Sequence, residues 1–75
     1  MSSVVITYCK PCGYLKRAEA AAALLNERLG VSPELVPGTG GIFKVAVDGD
    51  VVAAKSRAGF PDAEQIADAV AAALV

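Results

Sequence analysis

Apolar residues follow two different patterns along this chain, and each pattern predicts one kind of element. Residues 4–8 are β-branched and apolar at nearly every position, which is typical of a central strand covered on both faces. After a short break, apolar residues recur at steps of three and four and mark one face of a helix; these are Leu15, Ala18, Ala22, Leu25 and Leu29. We expect Gly30 to end this helix as a left-handed cap.

The middle of the chain predicts three further strands. Residues 34–36 form a weaker apolar run, which a right-handed crossover through the helix should place parallel to the first strand. Residues 42–47 alternate, with Phe43, Val45 and Val47 on one side and Lys44 on the other, and residues 51–56 follow across Asp48-Gly49. Asp-Gly between two such runs is a strong hairpin signal, so these two strands should be antiparallel neighbours.

A second helix is predicted to close the chain. Asp62 fits the N-cap position, with Gln65 three residues later as in a capping box. Ile66, Val70 and Leu74 space its buried edge. The predicted order is therefore β-α-β-β-β-α, an α/β fold with a mixed four-stranded sheet and two helices, in one domain over residues 1–75.

Both cysteines of the chain, Cys9 and Cys12, lie between the first strand and the first helix. In a cytosolic protein, Cys-x-x-Cys at such a junction indicates a redox motif. Unpaired N–H groups and partial positive charge at a helix N-terminus lower a thiol pKa from ~8.5 toward neutrality, and we expect Cys9 to feel this most. The spacing also allows a disulfide with little backbone movement. Pro11 fits the first helical turn, and Lys10 adds a nearby positive charge.

Other interpretations of the cysteine pair compete with redox exchange. A closed zinc site needs four ligands, and the chain has two cysteines and no histidine, so such a site within one chain is excluded. A soft-metal carrier with two thiolates is the main rival, because βαββαβ carrier domains have about this length. Such a domain requires a helix after its third strand, where this chain has the two-residue turn. An inert buried pair is the third interpretation.

Composition narrows the class of protein and its setting. Hydrophobic residues make up 55% of the 75 residues, which excludes a disordered chain. The net charge is −1 and the seven Lys and Arg residues are dispersed in sequence, which argues against a nucleic-acid surface. We see no signal peptide and no apolar run near the ~20 residues of a membrane helix. We therefore expect a cytoplasmic protein without membrane contact, in which a disulfide is transient.

The chain resembles the selenoprotein W-related proteins of the Rdx family, a group of thioredoxin-like redox proteins. The matching segments are Ile6-Thr7-Tyr8-Cys9-Lys10-Pro11-Cys12-Gly13-Tyr14, Gly40-Gly41-Ile42-Phe43-Lys44-Val45, Asp48-Gly49, and Ser56-Arg57 followed by Gly59-Phe60-Pro61-Asp62. The resemblance implies a thioredoxin-like β-α-β-β-β-α fold. It also implies a thiol-disulfide oxidoreductase that uses a reversible Cys9–Cys12 disulfide in cell redox homeostasis.

The roles expected for the two cysteines differ between helix electrostatics and the family resemblance. Helix electrostatics make Cys9 the attacking thiolate and Cys12 the resolving thiol. By resemblance, Cys12 occupies the position of selenocysteine in animal members, which places the more reactive atom there. From the sequence we favour Cys9 for exchange with thiols and disulfides.

Several other residues are candidates for binding a client beside the cysteines; they are Tyr8, Lys10, Pro11, Gly40, Gly41, Arg57 and Phe60. The glycine loop is a place where a client backbone can approach closely. For Arg57 and Phe60, a solvated charge and a packing residue are the better supported roles, and Tyr8 fits an ordinary half-buried aromatic.

The expected partner is an oxidised protein or a small-molecule thiol client. We expect no bound cofactor, with glutathione a candidate co-substrate and glutathione or the thioredoxin system a candidate reductant. Thioredoxins place a cis-proline where this chain has Gly40-Gly41-Ile42, which favours a narrow thiol-linked activity over general protein disulfide reduction. The alternative function is a protein-binding module that uses the glycine loop and Phe60, with the cysteines as a redox gate.

Overall fold

The computed structural model describes residues 3–56 and 59–74. Its elements are β1 Val4–Cys9, α1 Leu15–Leu29, β2 Glu34–Gly38, β3 Phe43–Val47, β4 Asp50–Ala54 and α2 Ala63–Leu74. The predicted β-α-β-β-β-α order is confirmed. No helix separates β3 from β4, so the order differs from that of a βαββαβ carrier domain.

The sheet has the strand order β2-β1-β3-β4, so β1 is a central strand as predicted. β1 pairs parallel with β2, antiparallel with β3, and β3 pairs antiparallel with β4. In the turn that joins β3 to β4, Asp48 has φ 52° and Gly49 has φ 89°. Left-handed φ at both central positions suits a tight hairpin, which explains the Asp-Gly pair.

Both helices pack on the same face of the sheet. The core joins alternate strand residues to the inner faces of α1 and α2; it consists of Val4, Ile6, Tyr8, Ala18, Ala21, Leu25, Phe43, Val45, Val47, Ile66, Ala67 and Val70. Val5 and Thr7 point to the opposite face of β1 and are only half-buried. The expectation that this strand is covered on both faces is therefore wrong, because an apolar β-branched residue also fits a half-buried sheet surface.

The first helix begins later than the sequence predicts. Its ladder starts where the Ala18 N–H donates to the Tyr14 carbonyl (3.0 Å), and α1 starts at Leu15. Gly13 has φ 77°, a left-handed conformation that cannot continue into a right-handed helix. Pro11 therefore lies in a turn rather than in the first helical turn, and Leu15 is 41% exposed instead of buried.

The predicted end of α1 and the predicted start of α2 are confirmed. Gly30 has φ 68° and its N–H donates to the Asn26 carbonyl, which makes it the left-handed cap of α1. Before α2, the Asp62 N–H donates to Gln65 Oε1 (2.9 Å), the reciprocal half of a capping box. Within residues 3–56 and 59–74, neither helix is long and apolar enough to cross a membrane.

Candidate functional site

Cys9 and Cys12 form a disulfide and differ sharply in exposure. Their Cα atoms are 5.3 Å apart, within the range that a disulfide requires. Cys9 is the last residue of β1 and is completely buried, whereas Cys12 lies in the following turn and is exposed. Solvent therefore reaches the pair at Cys12.

Backbone hydrogen bonds fix Cys9 on the sheet and place it at the end of β1 rather than at the tip of α1. Cys9 lies opposite Gly38 in β2, and the next residue, Lys10, donates its N–H to the Gly38 carbonyl (3.2 Å). The Cys9 carbonyl accepts from the Tyr14 N–H (3.3 Å), which closes the turn that carries Cys12. The expectation that Cys9 lies at the N-terminus of the first helix is therefore wrong.

The loop after β2 runs beside the buried cysteine. A Cβ built on Gly38 would lie 3.0 Å from Ile42 Cγ2 and 3.4 Å from Thr7 Cγ2, so a side chain at this position would displace its neighbours. The β1–β3 register, continued by one residue beyond its Tyr8–Phe43 pair, places Ile42 next to Cys9. The loop thus lies beside the buried Cys9, whereas Cys12 remains exposed.

Gly40 and Gly41 form the open part of this loop. Both have φ 75°, which other residues rarely adopt, and no atom lies within 4 Å of a Cβ built at either position. Space therefore exists here for a client backbone. No cis peptide bond occurs within the described residues, so Pro37 does not provide the cis-proline of thioredoxins.

An aromatic cluster of Tyr14, Phe43 and Phe60 connects the turn before α1 with the segment before α2. The Phe60 ring makes edge-to-face contacts with Tyr14 (centroids 4.7 Å apart) and with Phe43 (5.4 Å). The Arg17 guanidinium carbon lies 4.0 Å from the Phe60 centroid, and Lys55 Nζ lies 5.9 Å from it. Phe60 is half-buried and has the packing role that its sequence context favours.

The structure brings some of the sequence-predicted binding residues to the exposed sulfur and removes others. Lys10 and Pro11 are exposed on the same turn as Cys12. Tyr8 is 7% exposed and belongs to the core, which favours a packing role. Arg57 lies outside the described residues.

Arg17 contacts the aromatic cluster, although the sequence pattern alone assigns it no role. It lies three residues after Tyr14, a spacing that places two side chains on one side of a helix. That spacing is the feature of the sequence that could have pointed to Arg17. Only the fold shows that Phe60 is the ring between them.

Replacing Phe60 with alanine should lower the free energy of unfolding by about 2 kcal/mol, since it removes two ring contacts of about 0.5–1.5 kcal/mol each together with partly buried apolar area. Urea unfolding of the oxidised protein measures this loss. Tyr14→Phe keeps the ring in contact with Phe60 and serves as the control, with an expected change below about 0.5 kcal/mol. An equally stable Phe60→Ala protein would contradict the packing role.

A four-stranded mixed sheet with both helices on one face, and a Cys-x-x-Cys disulfide directly after the first strand, defines a thioredoxin-like redox fold. The sequence model of the Rdx family matches residues 3–72. The chain therefore belongs to the Rdx family, and the resemblance inferred from the sequence is confirmed.

Individual relatives agree with this assignment. The chain is 33% identical over 69 residues to Migration and invasion enhancer 1 of Mus musculus, a match that covers 89% of the chain and 60% of that relative. A crystal structure of a Bordetella parapertussis protein superposes with a TM-score of 0.87 at 32% identity and covers 96% of both chains. The selenoprotein W-related protein from Vibrio cholerae gives a TM-score of 0.88 at 23% identity, over 99% of this chain and 98% of its own, and shows the same fold.

Proposed function

We propose that this protein is a thiol-disulfide oxidoreductase in which Cys12 attacks the client and Cys9 resolves the mixed disulfide. The Rdx family, the thioredoxin-like fold and the bonded cysteine pair support a redox function in general terms. The observation that carries the finer proposal is the complete burial of Cys9 beside an exposed Cys12. This difference in burial favours Cys12 as the attacking thiolate, whereas helix electrostatics, considered from the sequence, favour Cys9.

The reaction consists of two exchanges. The Cys12 thiolate attacks one sulfur of the client disulfide, forms a Cys12–client bond, and the other client sulfur leaves as a thiolate that takes up a proton. The Cys9 thiol then loses its proton and attacks Cys12 Sγ. The second client thiol is released, and the Cys9–Cys12 disulfide remains. Two electrons have passed to the client, and a thiol reductant of the cytoplasm, such as glutathione, returns them.

Burial suits the resolving role. A client bound at the exposed turn cannot reach Cys9, so Cys9 reacts only with a sulfur delivered by Cys12. The separation of 5.3 Å between the Cα atoms already permits the bond, so the second exchange needs little movement of the backbone. The first exchange requires that the client reach Cys12, which is exposed in the turn after β1.

Equilibration of the protein in buffers of varied glutathione and glutathione disulfide tests the proposal. We expect one reversible two-electron transition between a dithiol and an intramolecular disulfide, followed by mass spectrometry after alkylation. Reduced protein should also convert one equivalent of a client disulfide to thiols as the Cys9–Cys12 bond forms. A pair that stays reduced at every ratio, or a disulfide that no thiol reduces, would overturn the proposal.

A further inference from the structure

We propose that the surface around the exposed cysteine docks an acidic segment of a partner protein, whose cysteine is the one that exchanges with Cys12. This inference rests on the proposed exchange reaction and names the chemistry of its client. The surface consists of Lys10, Lys16, Arg17 and Lys55, here called the cationic rim, around an apolar centre at Cys12.

The cationic rim lies at the end of the sheet where β1 leads into the turn that carries Cys12. Lys10 lies two residues before Cys12, and Lys16 lies four residues after it, both exposed. Arg17 is exposed and rests on the Phe60 ring, and Lys55, also exposed, approaches the same ring after the end of β4. Lys10, Lys16 and Arg17 are close in sequence, and the fold brings Lys55 to the same end of the sheet.

Four of the carboxylates lie toward the opposite end of the molecule. The antiparallel register pairs Val4 with Val47, so Asp48 and Asp50 lie near the start of β1, roughly 17 Å from Cys9 at about 3.4 Å per residue. Glu34 pairs with Val5 in the same half of the sheet. Glu27 lies in the last turns of α1, roughly 18 Å along the helix from its first residue.

The cations of the rim make no ion pair with another described residue. The ion pair between described side chains joins Arg28 to Glu64 (3.1 Å), away from the rim cations. Glu19 in α1 is exposed, and Asp62 lines one small cavity together with Arg17. Lys10 and Lys16 are exposed on either side of Cys12 in sequence, so they are the cations that an acidic client would meet beside the sulfur.

The start of α1 departs from the pattern that favours helix stability. A helix N-terminus is stabilised by acidic side chains and destabilised by basic ones, yet the first turn of α1 contains no acidic residue and holds Lys16 and Arg17. Sequences break such local rules most often at functional sites. The basic turn beside Cys12 thus points to binding of an anionic partner.

The centre of the surface favours a protein segment over other anions. Pro11, Cys12 and Gly13 are exposed in the turn, and Leu15 follows with 41% exposure. An apolar side chain next to the client cysteine can contact Leu15 while neighbouring carboxylates face Lys10 and Lys16. A nucleic acid offers neither the apolar side chain nor the sulfur.

The test compares two peptides of equal length. Each peptide has one cysteine, held in a disulfide with the same small thiol, and one leucine beside that cysteine. One peptide is otherwise rich in glutamate and the other in lysine. Reduced protein should react with the acidic peptide about tenfold faster at low salt, because a cationic rim raises the encounter rate of an anion. The ratio should fall toward one at high salt, where exposed charges are screened. Equal rates, or a faster basic peptide, would overturn the inference.

Charge variants locate the effect. The double variant Lys10→Gln with Lys16→Gln should reduce the acidic-to-basic rate ratio several-fold, and any change in the intrinsic reactivity of Cys12 cancels in that ratio. The matched control, Ala23→Glu with Ser32→Glu, changes the net charge equally at two exposed positions away from the turn and should retain the ratio. An equal reduction in the control would show that net charge alone acts and would reject the rim.

Two further measurements separate this inference from the exchange reaction itself. Binding of the acidic peptide, with its cysteine replaced by serine, should shift the amide NMR signals of residues 10 and 12–17 even if no exchange occurs. Unshifted signals at low salt would overturn the docking surface while leaving the redox proposal in place. Glutathione disulfide is the small anionic comparison, and a rate equal to that of the acidic peptide would overturn the assignment to a protein segment.

Discussion

Cys12→Ser should slow the reaction of the reduced protein with a client disulfide by more than roughly a hundredfold, because a serine hydroxyl stays protonated at neutral pH and the remaining thiol is buried. Stopped-flow measurement with an aromatic disulfide reports the rate. Alkylation of the reduced wild type with iodoacetamide should modify Cys12 first, since Cys9 is completely buried in the disulfide form. Rapid reaction of the Cys12→Ser protein would instead identify Cys9 as the attacking atom.

Cys9→Ser is the matched control for this experiment. It retains the exposed thiol and lacks the resolving one, so it should react with the client at a rate within a few-fold of the wild type. The mixed disulfide should then accumulate because nothing within the protein releases it. A stable adduct on Cys9→Ser and none on Cys12→Ser would establish the order of attack, and the opposite pattern would reverse it.

Leu25→Ala should lower the free energy of unfolding by about 3 kcal/mol, within the range of about 2–5 kcal/mol for replacing a buried leucine with alanine. Leu25 is completely buried where α1 faces the sheet and α2. A domain of this size has only a few kcal/mol in total, since it buries about 60% of its unfolded surface. The melting temperature should fall by roughly 4–8 °C for each kcal/mol lost.

Leu15→Ala makes the same chemical change at the other end of α1 and serves as the control. Leu15 is 41% exposed, so little apolar area returns to water and we expect a loss below about 1 kcal/mol. Urea unfolding of both variants in the oxidised state measures the difference. Equal losses would contradict the placement of the two leucines.

The elements were predictable because their signals are local. The alternating run before Asp48-Gly49, the left-handed cap at Gly30 and the Asp62–Gln65 cap each depend on a few neighbouring residues. The start of α1 was not predictable from its pattern, since Leu15 has helical spacing but little burial. The left-handed conformation of Gly13 decided that boundary, and spacing alone does not reveal which glycine adopts it.

The sequence by itself determined the element order, the family and the pair of cysteines that can bond, because each follows from short-range periodicity or from residue identity. Only the tertiary structure decided which sulfur is accessible. Cys9 is covered because strand pairing brings Gly38 and the loop at Ile42 against the end of β1, a contact between residues some thirty positions apart. The same strand pairing brings Lys55, which follows β4, to the end of the sheet where β1 leads into the turn with Cys12, since residues that are distant in sequence become neighbours only when the strands align.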